Sequence, residues 1–295
     1  MTGSGVVPTR EEILKWAIRR LRDAGLPNPT REAWRLLAPS DGSVPRFLSQ
    51  PRERVSRCGW SEIRRDICRR ARREPLAYIR EKAEFYSREF HIDGRVLIPR
   101  PETEVLVDTV LGIAHDLPAG PLADVGTGSG VIAITLAHEL PDRRAYAIDI
   151  DPGALEVARQ NVRCHALEDR VLVRSTVDAS MIPAEIAPAL VVSNPPYIPT
   201  KEIDKLEPEV SLWEPRVALD GGPDGLAIIR RLIGDSARVL PPGGYIAFEI
   251  GMGQAPIVEG ELFRAGFVDV CVVEDLAAVA RIVRAKRPGR CPDED

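Results

Sequence analysis

The sequence predicts an α/β protein, with a doubly wound, mainly parallel sheet preceded by a small helical domain. Three observations predict it. Apolar strands and helices alternate after Pro121, helical periodicity dominates residues 1–80, and a strand–turn–strand pattern joins the two regions. A chain of 295 residues is long enough for one large domain with a smaller one attached. We expect domain boundaries at 1–80, 81–104 and 105–295.

The first region has the pattern of short amphipathic helices. Thr9 and Glu12 have the spacing of a capping box, and a second helix is expected to begin near Thr30. The apolar residues that recur at helical spacing are Ile13, Ala17, Leu21, Ile63, Ile67 and Ala71. We therefore predict a small helical bundle.

Residues 81–104 are predicted to form a β-hairpin that connects the domains. Phe90-His91-Ile92 and Val96-Leu97-Ile98 are the candidate strands, and Asp93-Gly94 is the candidate type I′ turn.

The region after Pro121 alternates between strands and helices, which predicts a parallel sheet. Asp151 is expected to be the N-cap of a helix that begins at Pro152. The predicted strands are 122–125, 145–148, 171–173, 190–192 and 245–250, and another predicted helix is 131–140.

The composition excludes several classes of protein. A net charge of −4 argues against a generic polyanion binder, although residues 1–80 carry 18 Lys and Arg against 9 Asp and Glu. That basic region is either a solvated surface or a docking surface for an acidic macromolecule. The five cysteines and four histidines show no ligand spacing, so we expect no disulfide framework and no metal site. Because the sequence has no long apolar run and no signal-peptide pattern, we expect a cytoplasmic protein with no membrane partner.

A glycine-rich loop lies between the first predicted strand of the α/β region and the helix after it. The segment Asp-Val-Gly-Thr-Gly-Ser-Gly from Asp124 to Gly130 permits a tight turn and the close approach of a ligand. Asp149, nineteen residues further on, ends the next strand and can accept hydrogen bonds from both ribose hydroxyls. Loop, helix and acid in this order predict a nucleoside cofactor. The candidate contacts are Asp124, Gly126, Thr127, Gly128, Ser129, Gly130 and Asp149.

A second candidate site, Asn194-Pro195-Pro196-Tyr197, follows another predicted strand. The Asn194 side chain both donates and accepts, so it can match a neutral amide or an aminopyridine edge. The prolines fix the backbone and leave carbonyls free to accept protons, and Tyr197 offers a flat face for stacking. The segment therefore predicts an acceptor site for a planar nitrogen.

Together, these motifs resemble those of the HemK family of protein-(glutamine-N5) methyltransferases, which modify the glutamine of the Gly-Gly-Gln motif in peptide chain release factors. The resemblance covers nearly the whole chain. Beyond the two sites above, its motifs are Pro75 to Ile79, Glu84-Phe85-Tyr86, Leu97 to Glu104, Glu214-Pro215-Arg216, Ala218 to Gly222 and Glu249-Ile250-Gly251.

The resemblance implies a Rossmann-like methyltransferase domain, S-adenosylmethionine as cofactor and a release factor as substrate. It implies cofactor contacts by Asn194, Asp178 and Ala179 as well as by the glycine loop and Asp149. The implied catalytic residues are Asn194, Pro195 and Tyr197, and the implied substrate contacts are Asn194, Pro195, Pro196, Tyr197 and Arg100. We expect a monomer that does not bind DNA directly.

Four residues depart from the family pattern. Glu81 stands where the family usually has glycine, and Ala179 stands where a large side chain often flanks the adenine. Ala278 and Ala280 replace a usual glycine and aspartate, whereas Arg281 is kept.

Three alternatives remain open from the residues. An adenine-N6 DNA methyltransferase also uses an Asn/Asp-Pro-Pro-Tyr loop, but it would need a strongly basic groove, and the chain after residue 80 is acidic. The same fold could instead methylate a small-molecule amine or amide, or it could be a non-catalytic binding protein.

Overall fold

The computed structural model describes residues 7–37, 49–176 and 180–289. The chain forms two compact units, Met1–Arg80 and Glu81–Asp295. Within the described ranges, no helix combines the length and the apolar character that crossing a bilayer requires. Asp178 and Ala179, two of the predicted cofactor contacts, lie outside the described residues.

The first unit is helical, as its periodicity predicted. Its helices are α1 (Arg10–Asp23), α2 (Pro29–Leu37), α3 (Arg57–Arg70) and α4 (Leu76–Arg80). The capping box is confirmed, because the Glu12 amide donates to Thr9 Oγ1 and the Thr9 amide donates to Glu12 Oε2. The apolar core of the unit contains Ala17, Leu21, Leu26, Ala33 and Ile67.

A hairpin is present, but its predicted position is wrong. Its strands are β1 (Lys82–Phe85) and β2 (Arg88–His91), which pair antiparallel. The turn residues are Tyr86 and Ser87, with φ of 51° and 58°, as in a type I′ turn. Residues 96–98, predicted as the second strand, have no regular secondary structure.

The error has a physical reason, because side-chain contacts rather than glycine stabilise the true turn. The Tyr86 amide donates to Glu104 Oε1 at 2.7 Å, and the Tyr86 hydroxyl donates to Asp108 Oδ1 at 2.9 Å. Both carboxylates belong to helix α5 (Pro101–Gly112). Gly94, which suggested the turn, does not have a positive φ, and Arg95 holds the Asp93 carboxylate beside it.

The second unit contains the predicted α/β sheet. Among the described residues, seven strands pair in the order β5-β4-β3-β6-β7-β9-β8. The strands are β3 (Leu122–Val125), β4 (Ala145–Asp149), β5 (Val171–Ser175), β6 (Leu190–Ser193), β7 (Tyr245–Glu249), β8 (Val268–Glu274) and β9 (Ala280–Lys286). The accompanying helices are α6 (Val131–Glu139), α7 (Pro152–Cys164), α8 (Pro208–Ser211), α9 (Ala227–Val239) and α10 (Ala255–Arg264).

The sheet is mainly parallel, as predicted, with an antiparallel pair at one edge. Strands β5, β4, β3, β6 and β7 pair in parallel, whereas β9 is antiparallel to β7 and to β8. The strand order reverses beside β3, because β4 lies on one side of it and β6 on the other. Ligands of open α/β sheets bind at such a switch point, at the carboxyl ends of the strands.

Strands β3, β6 and β7 are buried along their whole length, which fits the continuous apolar runs in their sequences. Two of these strands each contain a carboxylate: Asp124 in β3 and Glu249, the last residue of β7, each have 1% of their surface exposed. Burying a carboxylate is costly unless it is hydrogen-bonded, so the partners of Glu249 bear on the site.

Candidate active site

The glycine loop follows β3 and is tied to the neighbouring strand. Gly126, Gly128 and Gly130 all have positive φ, at 71°, 55° and 85°, where a side chain would be strained. The amides of Gly126 and Thr127 both donate to the Ile148 carbonyl, at 2.8 and 2.9 Å. The loop therefore holds one fixed shape against β4.

Asp124 lies behind this loop rather than in front of it. Its Oδ2 accepts hydrogen bonds from Thr127 Oγ1 at 2.6 Å and from the Ala133 amide at 3.1 Å. Its Oδ1 is buried, and no described residue donates to it. Burial raises the pKa of the Asp124 carboxyl to about 7, against the opposing effect of the two hydrogen bonds.

Asp149 connects the loop to the end of β4. The Gly128 amide donates to Asp149 Oδ2 at 2.9 Å, and the Asp151 amide donates to Oδ1 at 3.0 Å. Burial raises the pKa of Asp149, while these amides lower it. Asp151 Oδ1 accepts from the Ala154 amide at 2.9 Å, so its predicted N-cap role is confirmed. Asp149 retains lone pairs on both oxygens for a ligand.

A cavity of about 260 Å³ opens at this edge of the sheet. Of the predicted site residues, Gly126, Thr127, Gly128, Ser129, Asp149, Asn194 and Pro196 line it. The described lining does not include Asp124, Gly130, Pro195, Tyr197 or Arg100. The cavity therefore joins the glycine loop to the start of the acceptor segment.

The acceptor segment begins where β6 ends, beside the glycine loop. Because β6 pairs in parallel with β3, the Ser193 hydroxyl reaches the Val125 carbonyl, at 2.6 Å. Asn194 follows directly and lines the cavity. Its Nδ2 lies 3.0 Å from Thr103 Oγ1, on α5.

Tyr197 turns back towards the interior of the sheet. Its hydroxyl donates to Glu249 Oε1 at 2.9 Å, and its ring packs against the apolar core. Burial, reinforced by the Glu249 carboxylate, raises its pKa well above the ordinary value. This position differs from an open stacking surface, so the stacking role of Tyr197 stays a prediction.

Glycines pack closely against the same segment. A Cβ added at Gly221 would lie 2.6 Å from the Gly225 carbonyl oxygen and 2.8 Å from the Pro196 carbonyl oxygen. The Tyr197 carbonyl accepts a hydrogen bond from Gln254 Nε2 at 3.0 Å. The acceptor segment is therefore held by backbone packing on one side and by an amide on the other.

Arg100, predicted to contact the substrate, has a protein partner. Its guanidinium pairs with Glu214, whose side chain is 1% exposed, and the Ile98 amide donates to the same carboxylate. Burial raises the pKa of Glu214, and the Arg100 charge opposes that rise. The pair fastens residues 98–100 to the segment at Glu214, and substrate binding by Arg100 stays a prediction.

Three further residues, Thr103, Glu249 and Glu214, belong to the site although their motifs predicted no role for them. Thr103 Oγ1 is 2.7 Å from Glu249 Oε2, so the two connect α5 to β7 behind the acceptor segment. The sequence did contain a signal for Glu249, because a glutamate that ends an apolar strand such as Tyr-Ile-Ala-Phe-Glu needs a buried hydrogen-bond partner.

The fold and the cavity define a class, the proteins with an open α/β sheet that bind a nucleoside cofactor at its switch point. Residues 101–207 match the family model described as "Methyltransferase small domain", and residues 12–80 match "PrmC N-terminal domain". Among solved structures, the hMettl16 catalytic domain in complex with the MAT2A 3′UTR hairpin 1 superposes with a TM-score of 0.55 at 18% identity. That match covers 76% of this chain and 83% of the other. A methyltransferase from Pyrococcus furiosus gives 0.50 at 15% identity, over 75% and 98%. These structures support the fold.

Curated relatives identify the family. A release factor glutamine methyltransferase of Caulobacter vibrioides is 41% identical over 90% of this chain and 91% of its own. Another, of Geobacter sulfurreducens, is 35% identical over 96% and 98%. A third, of Moorella thermoacetica, is 42% identical over 87% and 90%. The chain belongs to the release factor glutamine methyltransferase family, and the fold inferred from its motifs is confirmed.

The cofactor of such an enzyme is S-adenosylmethionine, and the cavity fits it. Asp149 can accept from ribose hydroxyls, and the exposed side chain of Ile150 and that of Met181 provide apolar surface for an adenine ring. The amides of Val131 and Ile132, at the N-terminus of α6, have no acceptor among the described residues and suit a carboxylate. Each end of the cofactor thus has a matching group in this chain.

Proposed function

We propose that this protein methylates the side-chain nitrogen of the glutamine in the Gly-Gly-Gln motif of a peptide chain release factor. The observation that carries the proposal is that Asn194 lines the same cavity as Gly128 and Asp149. A group that can hold a planar amide therefore lies beside the groups that suit the cofactor. The names of the curated relatives support the acceptor, because they are release factor glutamine methyltransferases.

The protein contributes mainly by orienting the acceptor amide towards the methyl group of the cofactor. When bound, S-adenosylmethionine supplies an activated methyl group and a good leaving group. A carboxamide nitrogen is a poor nucleophile, because its lone pair is delocalised. Asn194 Oδ1 and the Pro195 carbonyl are proposed to accept hydrogen bonds from its two N–H groups, which holds the amide plane so that the lone pair faces the methyl group.

No proposed site residue supplies a general base to the acceptor. Burial raises the pKa of Asp124 to about 7, but Asp124 does not line the described cavity. Asp149 is engaged by the amides of Gly128 and Asp151, and Glu249 is engaged by Thr103 and Tyr197. Loss of a proton from the methylated nitrogen therefore follows the transfer, and the proton goes to water, because a protonated amide nitrogen is a strong acid that needs no strong base. This order requires strong acceptors at Asn194 and Pro195 rather than a strong base.

The test is mass spectrometry of a purified release factor after incubation with the protein and S-adenosylmethionine. We expect a gain of one methyl group on the glutamine of the Gly-Gly-Gln peptide, and none on a release factor with alanine there. A protein that binds the cofactor but leaves the release factor unmodified would refute the proposal. Labelled-methyl incubation with candidate metabolites would then test the small-molecule alternative.

Asn194→Ala tests the role of the acceptor segment. It should reduce turnover by about 100-fold, because the acceptor amide loses its orientation, while cofactor affinity changes little. Equal losses in both quantities would contradict the role.

We also propose that the protein is a cytoplasmic monomer without a DNA partner, in keeping with a release factor as the acceptor.

A further inference from the structure

Four side chains form a continuous hydrogen-bonded chain behind the acceptor segment. Asn194 Nδ2 contacts Thr103 Oγ1 at 3.0 Å, and Thr103 Oγ1 contacts Glu249 Oε2 at 2.7 Å. Tyr197 donates to the other oxygen, Glu249 Oε1, at 2.9 Å. The chain begins at the cavity and ends in the interior, where Thr103 is 2% exposed and Glu249 is 1% exposed.

Counting protons along this chain fixes the direction of each hydrogen bond. An ionised carboxylate only accepts, so the single proton of the Thr103 hydroxyl is donated to Glu249. Thr103 Oγ1 can then only accept from Asn194. The NH₂ group of Asn194 must face Thr103, which turns Asn194 Oδ1 to the opposite side.

We infer that Thr103 and Glu249 are positioning residues that select the orientation of the Asn194 amide and so present its oxygen to the acceptor. The inference rests on the function proposed above, in which that oxygen accepts a hydrogen bond from the glutamine amide. An amide side chain has two orientations of nearly equal shape, and only one presents an acceptor. Asn194 by itself does not determine which orientation is adopted.

A purely structural role does not account for this arrangement well. Replacing buried ionic groups with apolar side chains of the same shape is often neutral for stability or favourable. The hydrogen bonds of Glu249 are instead specific in their donors, because Thr103 donates to one carboxylate oxygen and Tyr197 donates to the other. Both donors lead to the acceptor segment, one through Asn194 and one through Tyr197 itself.

The orientation depends on the ionised state of Glu249. Burial raises its pKa, Arg281 on β9 lowers it, and Glu102 on α5 raises it. A protonated Glu249 could donate to Thr103, and Thr103 could then donate to Asn194 and reverse the amide. Turnover of the wild type should therefore fall at acidic pH. This fall should be absent from the pH–rate profile of Thr103→Val, which lacks the hydroxyl.

Thr103→Val is the direct test, because it removes the hydroxyl and keeps the shape. We expect kcat to fall about tenfold, while KM for the release factor and Kd for S-adenosylmethionine stay within about twofold. Thr103→Ser, which restores the hydroxyl, should recover most of the turnover. Thr135→Val is the matched control, because Thr135 is equally buried and its Oγ1 has no partner among the described residues.

A double-mutant comparison separates positioning from folding. On the Asn194→Ala background, Thr103→Val should cause no further loss of kcat, because the side chain it orients is absent. Wild-type kcat in Thr103→Val would overturn the inference. A further loss on the Asn194→Ala background, or a loss of cofactor affinity equal to the loss of kcat, would also overturn it.

A readout without turnover keeps the inference distinct from the proposed function. In protein labelled with ¹⁵N-asparagine, the Asn194 side-chain resonances can be assigned by their absence in Asn194→Ala. The side-chain NH₂ protons of Asn194 should exchange with water slowly in the wild type and in Thr103→Ser, and rapidly in Thr103→Val. Equal exchange in all three would refute the orientation. Slow exchange in a protein that does not methylate a release factor would refute only the function.

Discussion

The stability of the protein should fall as pH rises from about 4 to about 7, because Asp124 is buried. Burial raises the pKa of this carboxyl from 3.8 to about 7. In that pH range the unfolded chain has released the proton, whereas the folded protein still binds it. Stability therefore decreases with rising pH, by about 1.4 kcal/mol per unit of pKa difference and up to about 4 kcal/mol in total.

Asp124→Asn removes this titration while keeping the shape of the side chain. Its amide oxygen can still accept from Thr127 and Ala133, but the NH₂ group replaces an oxygen that no described residue contacts. An unpaired buried amide costs about 1–3 kcal/mol. The variant should therefore be more stable than the wild type at about pH 8, by about 2 kcal/mol, and less stable at about pH 4.

The assay is urea unfolding at a series of pH values without cofactor, since a bound cofactor would add its own stabilisation. Asp151→Asn is the control, because asparagine is as good an N-cap as aspartate and the cap hydrogen bond remains. Parallel stability curves for the wild type and Asp124→Asn between about pH 4 and 8 would refute the reasoning. They would mean that the Asp124 carboxyl titrates near its ordinary value despite its burial.

Two further predictions concern backbone positions. Gly221→Ala places a Cβ 2.6 Å from a carbonyl oxygen behind the acceptor segment, so kcat should fall about 10- to 100-fold with cofactor affinity unchanged in calorimetry. Gly234→Ala on α9 is the control, because a Cβ there meets nothing within 4 Å, and its kcat should equal that of the wild type. An equal loss of kcat in both variants would show that the close packing at Gly221 is not the cause. Ala278 has a φ of 57°, so Ala278→Gly should raise the free energy of unfolding by about 0.5–1 kcal/mol. A lower urea midpoint would show that the left-handed conformation carries no strain there.

Local patterns in the sequence predicted the elements that depend on local physics. The helices at Arg10–Asp23 and Pro152–Cys164 have capping side chains and regular apolar spacing, and both form where expected. The glycine loop was equally visible, because its three left-handed residues, at alternate positions, are all glycine. The hairpin was misplaced because its turn residues, Tyr86 and Ser87, are stabilised by contacts with α5 rather than by their own preference.

The contacts that organise the acceptor segment depend on the topology and could not be predicted locally. Thr103 and Glu249 are separated by 146 residues, and Asn194 and Thr103 by 91. These side chains meet because β7 lies next to β6 in the sheet, an order that the alternation of elements does not determine. A single sequence can indicate that a buried glutamate needs a donor, but it does not indicate which of many hydroxyls provides it.

Two of the four departures from the family pattern have a backbone explanation, which bears on the choice of acceptor. Glu81 and Ala278 replace glycines, and both adopt positive φ, at 56° and 57°, where glycine is the residue without strain. Neither residue lines the described cavity, and Ala280 also lies outside it, in β9. They therefore introduce backbone strain of about 1–2 kcal/mol at each of these two positions, partly offset by the lower entropy of the unfolded chain, rather than a change in the acceptor site. The departures that favour the small-molecule alternative are Glu81, Ala179 and Ala280. Glu81 and Ala280 no longer support it, because neither lines the described cavity, and Ala179 lies outside the described residues.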